Sequence, residues 1–373
     1  MWILAGERVD IMPNLAKIIK KKAINIGFDL VGITSAEPFE DTAKRLNNRK
    51  LSSFIKNDIE LLTKPRLHLP SARSIIAVAL SYASSQKYNG DCYISIYARG
   101  RDYHHVMKNK LEKLMGFIRE IVPGVDMLAY SDTGPLLDRM IASRAGLGWI
   151  GKNNNLINPV YGSYLFLGEI LTNLELEHNQ PLNNQCCDCN LCIKNCPSSA
   201  LMEAYHLKAD RCISYLTQKK GIIPEEEREV INNHLWGCDN CQDFCPYNKN
   251  VPTDLHEEFT PLLKAELSEI LRIDNLAERD LWTNSALYWR GPRILKRNAI
   301  INIANNGDRC YLSDLIQKID DPSPIIRFYT AWAVGKIASK EYIKTLNNRL
   351  LEEKDKDVRN ELKKAINRIK RRI

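Results

Sequence analysis

Two runs of closely spaced cysteines constrain this chain more than any other feature of its sequence. The first run is Cys186-x-x-Cys189-x-x-Cys192-x-x-x-Cys196-Pro197, and the second is Cys238-x-x-Cys241-x-x-x-Cys245-Pro246. In bacterial ferredoxins this spacing lets three thiolates converge on one [4Fe-4S] cluster, while the cysteine that precedes the proline binds the neighbouring cluster. The pattern therefore predicts two [4Fe-4S] clusters side by side.

The second run has one cysteine fewer than the first, so one thiolate has to come from elsewhere in the chain. Cys212, in Arg211-Cys212-Ile213, is the candidate donor. We predict two groups of ligands, namely Cys186, Cys189, Cys192 and Cys245 for one cluster, and Cys196, Cys212, Cys238 and Cys241 for the other.

Structural zinc and disulfides are the alternatives to iron-sulfur clusters. Zinc also binds CxxC pairs, but it needs neither a third cysteine at the next step nor a proline after the fourth. The cysteines crowd together rather than spreading along the chain, and the start shows no apolar secretory signal, so disulfides are disfavoured. Cys92 and Cys310 fit small buried residues, and Cys187 is a spare thiol beside Cys186.

The length of 373 residues exceeds what one hydrophobic core usually supports, so we expect more than one domain. A composition of 44% hydrophobic and 26% charged residues is ordinary for a soluble globular protein. No apolar stretch is long enough to cross a bilayer, which predicts a cytoplasmic protein without membrane contact. We divide the chain into a possible flexible extension (1–11), an α/β domain (12–180), a ferredoxin-like two-cluster domain (181–255) and a helical domain (256–373).

Helix and strand patterns alternate through the first half of the chain. Apolar residues at helical spacing begin at Leu15 and end at Gly27, and the apolar run 74–82 predicts a buried strand. Further strands are predicted at 30–33, 127–130 and 164–172, and further helices at 102–121 and 135–145. This alternation predicts an α/β layer.

Asp132 is the candidate reactive group of this layer. It follows a predicted strand and precedes a predicted helix, at the strand end where α/β folds place reactive groups, although the local pattern by itself favours a helix cap. The glycine-rich segment 145–153 lacks the spacing of a phosphate loop. The segment 99–105 could bind an anion, but its adjacent His104 and His105 are more typical of ordinary surface residues.

The last part of the chain repeats a helical pattern around Arg297, Arg327 and Arg359, and the segment 321–335 is typical of a HEAT-like repeat. Basic residues flank Trp289, which indicates contact with a phosphate backbone. The predicted nucleic-acid contacts are Arg290, Arg293, Lys296 and Arg297. The basic residues of the last helix fit a solvated face equally well.

Several further sequence motifs follow one another along the chain. They are the segments 97–104, 132–135, 144–153 and 161–164, both cysteine runs, 211–217 and the repeated tail. From about residue 11 onward, the chain resembles the epoxyqueuosine reductase family, which completes queuosine at the wobble position of tRNA. The resemblance implies a fold with an N-terminal cobalamin-binding α/β domain, a two-[4Fe-4S] module and C-terminal helical HEAT-like repeats that grip the tRNA.

The resemblance also implies roles for individual residues. Asp132 corresponds to the family's proposed proton donor, and we expect a raised pKa in a secluded pocket for it. Positions that line the family's cob(II)alamin pocket correspond to Ser95, Asp132, Leu156, Leu167 and Ser214. Two positions depart from the family pattern, because Leu62 stands near the place of an arginine and Cys187 stands in place of a glycine.

The activity implied is reduction of epoxyqueuosine in the anticodon loop of tRNA, with electrons from an external low-potential donor relayed through both clusters to cobalamin. A monomer is expected, since one chain holds every required part. A corrinoid-dependent reductive dehalogenase is one alternative, although it would not need a basic helical repeat. A ferredoxin-type electron carrier is another, although it would need only the cysteine region.

Overall fold

A four-stranded sheet forms the framework of the N-terminal part. Its order is β1-β2-β7-β4, formed by Leu30–Ser35, Ser74–Ser81, Leu165–Thr172 and Met127–Tyr130, and each neighbouring pair is antiparallel. The computed structural model describes residues 14–48, 52–55, 58–86, 88–262, 265–273 and 284–372. The extension predicted for residues 1–11 lies outside these ranges.

The central strand β2 is buried along its whole length because both faces of the sheet are covered. Ile76, Val78 and Leu80 pack with helices α1 (Leu15–Ile26) and α4 (Tyr103–Ile121) on one face. Ile75 and the residues at alternate positions after it pack on the opposite face with helix α5 (Asp138–Arg144). Two short helices, α2 (Glu40–Asn47) and α3 (Ile59–Thr63), complete this part.

The predicted elements of this part are confirmed with changed ends. Helix α1 ends at Gly27, whose φ of 97° gives the left-handed cap that glycine favours. Helix α5 begins only at Asp138, three residues after the predicted start at 135. The sheet is antiparallel, so the rule that places reactive groups at the carboxyl ends of parallel strands does not account for the position of Asp132.

The cysteine-rich part is built from short elements. They are α6 (Leu191–Lys194), β8 (Leu201–Glu203), β9 (His206–Leu207), α7 (Ile213–Leu216), α8 (Glu225–Ile231), β10 (His234–Trp236) and α9 (Asn240–Asp243). Strand β10 pairs in parallel with β3 (Tyr93–Ile94), and this pairing joins the cysteine-rich part to the N-terminal part. A small antiparallel hairpin, formed by β5 (Trp149–Ile150) and β6 (Leu156–Ile157), carries the glycine-rich segment.

Helices dominate the C-terminal part. They are α10 (Leu267–Arg272), α11 (Pro292–Asn306), α12 (Leu312–Gln317), α13 (Pro324–Ile337), α14 (Ile343–Glu352) and α15 (Lys356–Lys370). Helix α13 packs closely on α15, since a side chain at Gly335 would lie 2.6 Å from Ala365. Tyr329 and Trp332 of α13 are fully buried. Within the described residues, no helix has both the length and the apolar character needed to cross a membrane.

Two of the four predicted nucleic-acid contacts are buried in the α11 interface. Arg297 is 0% exposed, and its guanidinium donates to the carbonyl oxygens of Leu216 (3.0 Å), Thr217 (3.1 Å) and Lys219. Lys296 is also buried and lies 4.0 Å from Asp321. The prediction that these two side chains contact nucleic acid is therefore wrong, whereas Arg293 is exposed and Arg290 is partly exposed.

We expect Arg297→Ala to destabilise the protein by about 3 kcal/mol, because two buried carbonyl oxygens and one partly buried carbonyl oxygen would lose a charged donor. Arg293→Ala, at an exposed position on the same helix, is the matched control and should stay within about 0.5 kcal/mol of the parent. Chemical denaturation of both variants measures the difference. Equal stability of the two variants would contradict a structural role for Arg297.

Candidate active site

The first predicted ligand group lies around one cavity. Its four cysteines line this cavity together with Lys152, Asn153, Ile157, Pro246 and Tyr247. Cys186 and Cys245 are buried, and burial followed by the neighbouring thiolates raises the pKa of Cys245. Mutually repelling thiolates that face one space are the arrangement that a shared cationic metal centre neutralises.

The second predicted ligand group is also brought together. Burial raises the pKa of Cys238 to about 12, and the nearby Cys212 and Cys196 thiolates add to the rise. Burial likewise raises the pKa of Cys241, with Cys212 and Cys238 as the next causes. The four side chains come from three separate segments, so only the folded chain assembles them.

Four thiols that line one cavity suit a cuboidal cluster, which is held by four cysteine thiolates. Cys187 is exposed and has a φ of 39°.

The glycine-rich segment contacts both thiol groups, a role that its sequence did not indicate. Lys152 Nζ lies at the first group and donates to the Cys187 carbonyl oxygen at 2.6 Å. Asn153 Nδ2 donates to the Cys241 carbonyl oxygen at 3.2 Å, and Asn155 Nδ2 lies 3.9 Å from Cys241 Sγ. This loop places one ammonium and two amides beside the thiols, where they would stabilise the extra negative charge of a reduced cluster.

Asp132 lies at the end of a chain of proton donors. Tyr103 donates its hydroxyl hydrogen to Asp132 Oδ2 at 2.5 Å, and His104 Nε2 lies 3.3 Å from the same oxygen. On its other side, His104 Nδ1 lies 2.7 Å from Asp102 Oδ1. Asp102 is held in place because it caps helix α4. His104 is thus a bridge between two carboxylates, and the prediction of an ordinary surface histidine is wrong.

The charges of these neighbouring side chains favour the protonated form of His104. Burial opposes the charge of His104, but its contacts with Asp102 and Asp132 outweigh burial and raise its pKa to about 9. The Asp132 side chain is 59% exposed, yet it lies among enough protein atoms that desolvation opposes its charge. The contacts from His104 and Tyr103 prevail and lower the pKa of Asp132. The expectation of a raised pKa for Asp132 is therefore wrong.

The Asp132 loop is held in a defined conformation. Asp132 has a φ of 55°, and its backbone N–H donates to Asp138 Oδ2 at 2.7 Å. Ser131 Oγ donates to the Leu167 carbonyl oxygen at 2.8 Å. Burial raises the pKa of Asp138 to about 7, with the charge of Asp132 as the second cause. These contacts fix the backbone from which the Asp132 carboxylate projects.

The residues implied for a cofactor pocket fall into two sets. Leu167 and Ser214 are partly exposed. The Leu167 carbonyl oxygen accepts a hydrogen bond from Ser131, the residue before Asp132. Gln218 Nε2 links Ser214 to Tyr97, and the Tyr97 ring contacts Tyr103. These contacts bring the set together at one place.

Ser95 and Leu156 are buried, so their side chains lie behind any surface that a ligand could touch. Ser95 Oγ instead donates to Asp239 at 2.6 Å. Leu62 is also buried, so its own side chain offers no contact to a ligand where relatives are expected to have an arginine.

Comparison with known families matches three consecutive parts of the chain. Residues 63–133 match the model described as epoxyqueuosine reductase QueG, DUF1730. Residues 185–248 match a 4Fe-4S double cluster binding domain, and residues 290–367 match HEAT repeats. The predicted fold class, with its cluster module and helical repeats, is confirmed.

Relatives extend the match over nearly the whole chain. An epoxyqueuosine reductase of Bacillus cereus is 38% identical over 91% of this chain and 94% of its own length. One of Staphylococcus aureus is 37% identical over 97% of this chain and 99% of its own length. This chain belongs to the epoxyqueuosine reductase family. The resemblance inferred from the motifs is thereby confirmed.

Solved structures of the family superpose closely. An epoxyqueuosine reductase crystallised with an epoxyqueuosine-modified tRNA-Tyr stem loop has a TM-score of 0.91 and 37% identity, covering 96% of this chain and all of its own. A Bacillus subtilis family member has a TM-score of 0.90 and 36% identity over the same shares. In that structure a catalytic aspartate loop is swung out of the active site.

We expect Cys189→Ser to lower the bound iron to about half, because it removes a thiolate from one of the two predicted groups. Cys187→Ser is the adjacent control, since Cys187 is exposed and belongs to neither group, and it should retain the full iron content. Iron analysis of anaerobically reconstituted variants measures both. Loss of iron in Cys187→Ser with retention in Cys189→Ser would contradict the ligand assignment.

Proposed function

We propose that this protein reduces epoxyqueuosine to queuosine at the wobble position of tRNA, as an oxidoreductase in the cytoplasm. The proposal rests on two features found in one structure. One is the row of proton-donating side chains that ends at Asp132, and the other is the two sets of converging thiols. Removal of an epoxide oxygen as water needs electrons and protons together. The family membership identifies the substrate that fits this pair of requirements.

The two sets of thiols would each hold a [4Fe-4S] cluster in the grouping predicted from the spacing. Such clusters pass electrons singly, and an external low-potential donor would supply them. The Asn155 contact with Cys241 Sγ joins the second thiol set to the hairpin that carries Leu156. We therefore assign the second set as the one that delivers electrons to the substrate side, with a monomer as the working unit.

A corrinoid is the cofactor that we assign to the surface at Asp132, Leu167 and Ser214. An apolar leucine beside a hydroxyl and a carboxylate suits a large ring with polar edges. When bound, cobalamin would supply a strongly reducing or nucleophilic centre for opening the C–O bond. Ser95 and Leu156 would support this surface from behind, because both are buried.

The protein itself would manage the protons, since two electrons and two protons convert the epoxide to an alkene and water as both C–O bonds break. As the first C–O bond opens, negative charge grows on oxygen, and Asp132 is an accessible group that can carry a proton to it, with the second proton following from the same group after it is reprotonated. His104 would hold the proton beforehand and pass it to Asp132 once the 3.3 Å contact between Nε2 and Oδ2 shortens to a hydrogen bond. Asp102 would keep the His104 ring oriented by its contact with Nδ1. Tyr103 stays protonated, since burial raises its pKa well above the usual value, and it would orient the carboxylate.

Of the four basic residues predicted to contact tRNA, Arg290 and Arg293 remain candidates. Both precede or begin helix α11 and are accessible, whereas Lys296 and Arg297 are buried. Arginines at this edge of the repeats can pair with phosphates near the anticodon loop. The modified base would leave the loop stack to reach Asp132, as single-stranded RNA permits.

The direct test is anaerobic incubation of cluster-reconstituted, cobalamin-loaded protein with a reductant and epoxyqueuosine-containing tRNA. Mass spectrometry of the nucleosides should show loss of one oxygen mass from the modified base. We expect Asp132→Asn to load both cofactors normally and to slow single turnover by about 10²- to 10⁴-fold, as for loss of a general acid. Full activity of this variant would remove Asp132 from proton transfer.

A second prediction concerns pH. A raised His104 pKa means that the charged form dominates below about 9 and is lost above it. The rate of a proton-limited single turnover should therefore fall as the pH rises through about 9. His104→Gln should be slower at neutral pH and should lose this dependence, with unchanged iron and corrinoid content as the control. An identical pH profile in the parent and the variant would assign the proton to another group.

A further inference from the structure

We propose that Trp289, Arg290, Phe54 and Tyr215 form a stacking site for an unpaired nucleobase of the RNA substrate. We call this group the Trp289 platform. The proposal rests on the proposed tRNA function and adds a specific binding site to it. Trp289 was noted in the sequence only for its basic neighbours, and Phe54 and Tyr215 come from distant parts of the chain.

The platform is a continuous arrangement of rings and one cation. The Arg290 guanidinium carbon lies 3.6 Å from the centroid of a Trp289 ring and 4.8 Å from that of Phe54. The Phe54 ring lies 6.0 Å from Trp289 in an edge-on contact and 4.7 Å from Tyr215. Ser53 Oγ and the Tyr215 hydroxyl are 2.8 Å apart and fix the far end. Each ring thus supports its neighbour.

The exposure of the platform distinguishes it from a core. Trp289 is 56% exposed although the Arg290 guanidinium lies against it. A single exposed apolar side chain is common on protein surfaces and needs no explanation. An exposed indole that is stacked on an arginine and backed by two further rings is the arrangement with which proteins stack nucleobases, whatever the base.

Arg290 adds an independent indication of a polar ligand. Its Nε is buried and has no hydrogen-bond partner among the residues that the structure describes. A buried donor without an acceptor is costly, so a phosphate or base oxygen that reached it would bind favourably. Arg293, exposed at the start of helix α11, adds positive charge close by. The combination of ring surface and cations matches the chemistry of a nucleotide.

The position of the platform relates it to the reaction. Tyr215 follows Ser214, which we assign to the cofactor surface, and lies in the same helix α7. Arg297 ties helix α11 to the carbonyl oxygens of Leu216 and Thr217, so the Trp289 side and the Tyr215 side are fixed relative to each other. A base stacked on Trp289 would therefore hold the RNA loop beside the site where the modified base reacts.

The test compares Trp289→Ala with Leu351→Ala, which removes an 83% exposed leucine from the distant helix α14. The probes are an anticodon stem-loop RNA and versions of it with one abasic residue at each loop position in turn. Trp289→Ala should weaken binding of the intact loop by roughly 5- to 150-fold, which corresponds to the loss of one stacked base. Leu351→Ala should bind as the parent does.

One abasic RNA identifies the stacked base. For that RNA, the parent and Trp289→Ala should bind with equal affinity, since the stacking partner is already missing. Trp289→Phe should restore most of the affinity for the intact loop. In turnover, Trp289→Ala should raise KM while kcat, iron content and thermal stability stay close to those of the parent. Equal binding of the intact loop by parent and Trp289→Ala, or equal losses for every abasic RNA, would overturn the proposal.

The outcomes separate the platform from the proposed reaction. If the parent removes the epoxide oxygen but Trp289→Ala binds the loop normally, the platform alone is refuted. If the parent binds the loop in a Trp289-dependent way but removes no oxygen, the platform stands and the reaction is refuted.

Discussion

One buried carboxylate joins the redox part of this molecule to the part that handles the proton. Asp239 is fully buried between Cys238 and Cys241, and it accepts hydrogen bonds from Tyr93 (2.8 Å), Ser95 (2.6 Å) and the Ile96 backbone (2.8 Å). A buried carboxylate is tolerated only when its oxygens are satisfied, so these contacts fix the turn that carries both thiols. The parallel pairing of β3 with β10 extends the same junction. In the proposed function, electron delivery to a site beside the sheet would depend on this fixed geometry.

In the proposed function, the proton and the electrons come from different parts of the chain. Asp102, His104 and Tyr103 lie at the start of helix α4, which packs on the sheet, whereas the glycine-rich loop contacts the thiol groups. The carboxylates that raise the pKa of His104 would also help to retain a proton during reduction, when negative charge accumulates nearby. A lowered pKa at Asp132 suits a group that transfers a proton onward and regains it from His104. The neighbours of Asp132 thus replace the secluded pocket that its sequence context indicated.

Sequence reasoning succeeded where a local rule dictates structure. Cysteine spacing identified the double-cluster module, continuous apolar residues located β2, and Gly27 marked the end of α1. It failed where a residue's environment is made by distant segments. Arg297 was predicted to be a surface cation, but carbonyl oxygens about eighty residues earlier in the chain enclose it, and no local pattern records them. His104 is predicted to be an ordinary surface residue for the same reason, because only the folded chain brings Asp132 close to it. The closeness of Asp102 and His104, two residues apart in the sequence, was an available signal.

The burial of Arg297 changes how the basic residues at the start of α11 are to be understood. A surface cation there would add to the general attraction of the repeats for RNA, and its loss would be compensated by neighbours. A buried cation that binds three carbonyl oxygens instead fixes the angle between the repeats and helix α7. The accessible pair Arg290 and Arg293 is thereby held at a set distance from Ser214. In the proposed function, recognition of RNA and placement of its reacting base would be coupled through packing, because a shift of α11 would displace both.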